Sequence, residues 1–330
     1  MTGLLNGKVL LVAKILKWPL NHFDMRKGLG DLQGFILAEG IHDQDLIRKV
    51  QAFDKTLDVG SLIISDGKGG NFLGCIQSVD YWGKSNNFGL KRIWEKMGRL
   101  PVLMYHRVSH GPGKGLTISV DNLKQQLCYL KDKGYRSWHL AELMELDRLP
   151  AGKHVVITFD DATEDHLELV APLIEEMGLK ATFFLPLGHL GRTDSWNQGA
   201  VQILTAEELR SLNPDHIELA HHSFAHQAYD QMEREAIWND LDLAVEKSLK
   251  EQLELSPAIA YPYGKFPRTN PEQQNFEDLL KDKKIRWGFR IGNRVNRFPF
   301  KNPYQIQRLD IKGEYTLGRF ARKLQFGKIF

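Results

Sequence analysis

The 330-residue sequence predicts an α/β fold in which short parallel strands are joined by helices into a barrel or an open sheet. Three observations carry that prediction. Apolar runs such as Val155-Val156-Ile157-Thr158-Phe159 have the length and β-branching of buried strands. Helix start and stop signals separate these runs in regular alternation. The alternation begins only at Gly98–Pro101, which sets residues 1–97, a region of uncertain fold and unknown role, apart from a domain over 98–330.

Within that domain residues 102–105 read as the first strand, and a helix over 121–134 ends on Gly134 at the C′ position. Residues 155–159 form the next strand, and a helix over 165–177 is closed by Gly178. After a strand at 181–185, Thr205-Ala206-Glu207-Glu208 is a capping box that opens a short helix. A strand at 217–220, a long helix over 231–253 and a strand at 258–261 follow. Asn270-Pro271 supplies a cap and a first-turn proline for a helix running toward Lys284, and residues 287–291 and 305–311 are the last strands.

Composition narrows the function classes. Hydrophobic content of 42% and charged content of 26% are ordinary for a globular protein. A net charge of +3, with no dense Lys/Arg block, gives no nucleic-acid footprint. Cys75 and Cys128 cannot build a disulfide framework or a cysteine-rich zinc site, so any metal must be held by histidines and carboxylates. Residues 7–18 are apolar with lysines at 8, 14 and 17. Lys14 interrupts what would be a signal-peptide core, and the run is far short of the ~20 apolar residues of a membrane span. It reads as an amphipathic helix packed on its own protein, or else as one lying on a membrane surface. The expected location is therefore cytoplasmic, with peripheral membrane contact through the N-terminal region as the variant. Gly67-Lys68-Gly69-Gly70 lacks the spacing of a phosphate loop and reads as a surface turn.

In such folds the active site collects at the carboxyl ends of the strands. Asp160 and Asp161 end one strand, His222 and His226 follow another, Pro262-Tyr263-Gly264 follow a third, and His106 ends the first. One aspartate and two histidines suit a divalent metal with open positions. Two bare carboxylates so close would raise each other's pKa, and a cation that claims one of them relieves this. The other, Asp160, is then placed as general base. An i, i+4 spacing brings His222 and His226 to one side of a helical turn, whereas His221 faces away. A backbone amide near Tyr263 is a candidate oxyanion donor.

At these residues the chain resembles the polysaccharide deacetylase family (carbohydrate esterase family 4, the NodB homology domain). Thr158-Phe159-Asp160-Asp161 is similar to its first motif, in which the first aspartate is the base and the second a metal ligand. His222-Ser223-Phe224-Ala225-His226 resembles the second, with both histidines as ligands, and Tyr261-Pro262-Tyr263-Gly264 the groove-forming third. Leu103-Met104-Tyr105-His106-Arg107-Val108 and Gly178-Leu179-Lys180-Ala181-Thr182-Phe183-Phe184 are similar to strands of family members. The resemblance spans roughly residues 98–320. It implies a distorted (β/α)7-type barrel and one divalent metal, zinc first, with cobalt, nickel, iron or manganese as alternatives. The implied reaction is hydrolysis, in which metal-activated water removes N-acetyl groups from an amino-sugar polysaccharide or glycan.

Three departures stand out. Ala162 replaces the usual glycine after the aspartate pair, which is tolerable if the backbone there is not left-handed. Ile259-Ala260 stand where an arginine often orients the base. The late Leu-x-His motif that supplies the acid is absent, because no histidine follows His226. His106 is the candidate acid, and otherwise fixes a neighbouring ligand. Arg308 is a structural or substrate contact near the site. Trp196, Tyr229 and Trp287 are assigned to packing first, and Tyr263, with Pro262, to the substrate groove. The competing readings are a catalytically impaired carbohydrate-binding protein and an amidohydrolase acting on a small N-acyl compound. The sequence carries no signal for oligomeric state.

Overall fold

A computed structural model describes residues 98–328, apart from 198 and 200, together with four two-residue strands nearer the N-terminus. The chain divides into two units, Met1–Arg92 and Ile93–Phe330. In the first, Leu11–Val12 pairs in parallel with Ile36–Leu37, and Ser61–Leu62 pairs antiparallel with Ile76–Gln77. Leu11 and Val12, expected inside an amphipathic helix, are therefore extended, because strand pairing with a distant segment overrides a local helical period. The rest of that stretch and the glycine turn at 67–70 lie outside the described residues.

The second unit is a closed barrel of seven parallel strands. They are β1 (Val102–Tyr105), β2 (Lys153–Asp160), β3 (Ala181–Leu185), β4 (Ile217–His221), β5 (Leu255–Ala260), β6 (Trp287–Ile291) and β7 (Ile306–Asp310). Each pairs with the next in sequence, and β7 pairs back to β1, where Leu309 opposite Leu103 closes the ring. Helices α1 (Val120–Asp132), α2 (Leu140–Met144), α3 (Ala171–Glu176), α4 (Ala206–Ser211), α5 (Arg234–Lys250), α6 (Glu272–Asp282) and α7 (Leu317–Phe326) lie between or after the strands. A short strand at Tyr135–Ser137 adds to the open half of β2, and Gly98–Leu100 pairs antiparallel with Asn296–Phe298.

Strand parity sorts the side chains. Val102, Val156, Phe184, Ala220, Ala258, Ala260, Phe289 and Ile306 share one buried cluster, the filling of the barrel. Three alanines on β4 and β5 leave room for Phe184 and Phe289, whose rings lie 5.6 Å apart. Alternate residues such as Leu103, Tyr105, Ile157 and Phe159 join a second cluster with Leu123, Leu127 and Leu130 of α1. Strands buried on both faces read as continuous apolar runs, and that is why they were visible in the sequence. The capping box at Thr205 forms as expected. Pro271 occupies the N-cap of α6 instead of its first turn. No helix among the described residues is long and apolar enough to cross a membrane.

Candidate active site

Asp160 is the last residue of β2 and shares the interior face with Val156 and Thr158. Arg308 shares that face with Ile306 on β7, so the guanidinium rises through the barrel to the carboxylate. Its Nη1 and Nη2 donate to the two oxygens of Asp160 at 2.5 and 2.7 Å. Nη1 also reaches the Thr158 hydroxyl at 3.3 Å. Both side chains are buried, at 1% and 2% exposure. Burial would push the Asp160 carboxyl up, but Arg308, with His222 and His106, holds it below its ordinary value. The base candidate is thus ionised and fixed in orientation. Arg308, with both terminal nitrogens engaged and almost no exposed surface, is placed to hold Asp160 and not to meet a substrate.

The chain turns sharply after Asp160. Asp161 and Ala162 have φ of 77° and 49°, so the condition on which alanine was tolerable here is not met. A left-handed alanine costs about 1–2 kcal/mol, and Ala162 is fully buried. The turn swings the Asp161 carboxylate to the same cavity as Asp160. Its Oδ1 lies 3.2 Å from His226 Nε2 and 3.5 Å from His222 Nε2.

His222 and His226 meet through a loop, not through the helical turn their spacing suggested. Ser223 and His226 are left-handed, at φ of 68° and 53°, and the Ser223 hydroxyl accepts the His226 N–H at 2.9 Å. Asp240 of α5 accepts the N–H groups of Phe224 and Ala225 at 3.0 and 2.8 Å, and the Tyr229 hydroxyl at 2.8 Å. From the other side Leu187 and Gly188 donate to the carbonyls of Ser223 and Phe224. A Cβ on Gly188 would sit 2.6 Å from the Phe224 carbonyl oxygen, so only glycine permits this approach. Five of the eight described non-glycine residues with positive φ (Asp161, Ala162, Ser223, His226 and Tyr263) lie in the three site segments. Strain concentrated this way is characteristic of functional sites.

The donor set fits a divalent cation. Asp161, His222 and His226 present ligand atoms within 4.8 Å of one another, and Asp161 Oδ1 is buried with no hydrogen-bond partner. His222 Nδ1 lies 2.8 Å from the Ala260 carbonyl, which assigns its proton there and leaves the Nε2 lone pair facing Asp161. Burial pushes the His222 pKa down to about 4, so the ring is neutral at pH 7, as a ligand must be. His226 has no such partner at Nδ1. Its ring is held instead by Trp196, stacked at 3.9 Å, and by the edge of Tyr263 at 5.0 Å. His221, also buried, lies outside this cluster.

His106 follows β1, with Nε2 3.8 Å from Asp160 Oδ2 and a side chain 15% exposed. Tyr263 is left-handed and 51% exposed, whereas Pro262 is buried and shapes the turn instead of facing the groove. Trp196 and Asp240 were not read from the sequence as parts of the site, and Arg308 was read as a structural or substrate contact near it and not as a clamp on Asp160. Asp240 had a signal, a carboxylate within the buried stripe of α5 formed by Ile237, Leu241 and Ala244.

Residues 148–280 match the family profile described as "Polysaccharide deacetylase". Over those residues the barrel domain is similar to that family. Among curated proteins the chain is similar to "Putative polysaccharide deacetylase YxkH" of Bacillus subtilis (strain 168). Identity is 27% over 177 residues, covering 52% of this chain and 59% of that one. The chain thus spans less than two thirds of that relative's length. Among solved structures it resembles the Streptococcus pyogenes deacetylase PplD in complex with acetate, with a TM-score of 0.58 and 19% identity over 69% of this chain and 99% of that one. IcaB from Ammonifex degensii is similar at 0.58 and 20%, over 69% of this chain and 97% of that one. A de-N-acetylase from Aggregatibacter actinomycetemcomitans reaches 0.57 at 17%, over 68% and 99%. At these identities the structures establish a shared barrel fold.

Proposed function

We propose that the protein is a metal-dependent carbohydrate N-deacetylase that hydrolyses the N-acetyl amide of an amino-sugar glycan to acetate and a free amine. The family match supports the reaction class. The observation that carries the reading is the pairing of a buried Asp161/His222/His226 cluster with an ionised, arginine-clamped Asp160 on the same cavity.

Asp161, His222 and His226 would hold one divalent ion, zinc first. Such an ion lowers the pKa of water and polarises a carbonyl oxygen. Asp160, held ionised by Arg308, takes the proton from water as it adds to the amide carbon. The Gly264 and Lys265 N–H groups are used inside the Tyr261–Lys265 turn, which leaves the N–H of Tyr263 as donor for the developing oxyanion. His106, across from Asp160, gives a proton to the departing nitrogen as the C–N bond breaks. The exposed ring of Tyr263 offers a face to a pyranose.

The test is acetate release from N-acetylglucosamine oligomers by metal-replete protein, with Asp160→Asn as control. Release that depends on added metal and falls at least about 10³-fold in D160N supports the reading, on the scale of a lost general base together with its charge. Full activity in D160N would refute the mechanism. Metal binding without turnover on any acylated sugar would point instead to a carbohydrate-binding role.

A further inference from the structure

The segment that carries the base and a ligand continues as Ala162-Thr163-Glu164-Asp165-His166, and its last two residues have no part in the chemistry above. Both are buried, at 6% and 0% exposure. Both reach back to the backbone around His106. Asp165 Oδ2 accepts the Val108 N–H at 2.6 Å. His166 Nε2 lies 2.6 Å from the His106 carbonyl, an acceptor only, so this nitrogen carries the ring's proton. The His166 ring is in turn wedged between Phe159 of β2 and Phe183 of β3, with centroids at 5.4 and 5.0 Å. A π-helical turn over His166–Val170 begins at this residue, a local irregularity often found beside functional sites.

His106 stands between the end of β1 and a short strand, Arg107–Ser109, that pairs with Thr117–Ser119, and belongs to neither ladder itself. The two contacts grip its peptide from both sides, one at its own carbonyl and one at the second amide onward. The distance that matters, 3.8 Å from His106 Nε2 to Asp160 Oδ2, joins two residues on different strands. It is set by the segment that starts at Asp160 itself and ends on His106. We propose that Asp165 and His166 are positioning residues that hold the proton-donating His106 in register with the base. This rests on the reading of His106 as the acid. The chain thereby couples acid to base through six residues, without the late histidine motif.

The test uses the full chain, metal-loaded, with steady-state acetate release and calorimetric titration of zinc. Asp165→Ala is expected to lower kcat at least about tenfold while KM and zinc affinity stay within twofold. Asp165→Asn keeps an acceptor for the Val108 N–H and should recover most of kcat, which a general loss of charge would not allow. His166→Gln, whose amide still donates, should likewise outperform His166→Ala, and this pair serves if D165A fails to fold. In the double variant D165A/H106A, the Asp165 change should remove nothing beyond what H106A alone removes. Multiplying effects, or a D165N as impaired as D165A, would overturn the positioning role. An H106A variant with full activity would overturn the reading of the acid itself, and the two failures are told apart because H106A is measured alone.

Discussion

Replacing Arg308 by methionine would leave a carboxylate at the centre of the barrel with no counter-charge. Side chains at 1% and 2% exposure have little solvent to screen the loss. Removing one partner of a buried, bidentate pair costs about 3–5 kcal/mol. Part of this is recoverable, since Asp160 can take up a proton, and the recovery makes the effect pH-dependent. In the native protein the Asp160 pKa is depressed, so its pairing contributes stability above the unfolded value of 3.8 and loses it as pH falls through the folded value. In R308M burial, the largest influence, is opposed only by His222 and His106, and the pKa is expected to rise above the unfolded value. The variant then keeps its stability below that unfolded value and loses it as pH rises. The difference between the two proteins should grow by about 1.4 kcal/mol per pH unit across the window between unfolded and raised values. Urea unfolding of chelator-treated protein at pH 4.5, 6 and 8 measures this directly. D160N/R308M should lose much less stability at pH 8 than R308M, because no charge is stranded. A pH-independent R308M deficit, or one below about 1 kcal/mol at pH 8, would refute the view that Arg308 stabilises an ionised base.

Three further outcomes follow from the geometry. Asp240→Ala removes the acceptor of three hydrogen bonds that shape the ligand loop. Zinc affinity by calorimetry should fall about 10–100-fold, the range for outer partners of a metal site. The metal-free protein should lose stability on acidification, since burial pushes His221 and His222 down to about 4. The unfolded chain binds their protons first, so ΔG of unfolding should fall from pH 6.5 toward 4 by up to about 1.4 kcal/mol per unit for each ring, and a flat urea profile over that interval would exclude two neutral buried imidazoles. Trp196→Ala leaves His226 without its stacked partner and should weaken zinc binding about 2–13-fold, since a stacked aromatic pair is worth about 0.5–1.5 kcal/mol.

The ordered strands and the identity of the clustered side chains were legible because both follow from local rules. A strand buried on two faces writes itself as an apolar run, and the end of such a run in a βα fold tells where polar residues gather. What was not legible depends on contacts distant in sequence or on backbone that breaks the local rules. Arg308 lies 148 positions from Asp160, and only closure of β7 onto β1 brings them together. A cation at an inward position of β7, in phase with Ile306, was nonetheless a signal that an acid must stand opposite it. The His222–His226 spacing picked out two imidazoles that do cluster with Asp161, though not through a helical turn. The imidazoles converge because Ser223 and His226 adopt left-handed conformations, which their side chains do not announce. Ala162 makes the same point, since alanine argues against a φ of 49° and the tertiary structure imposes it. These residues lie where the chain must turn off a strand end and bring two side chains to one cavity within a single step. Local preference yields there to the geometry of the site, and Arg308, Asp240 and the Asp165–His166 pair are the contacts that hold it against that preference.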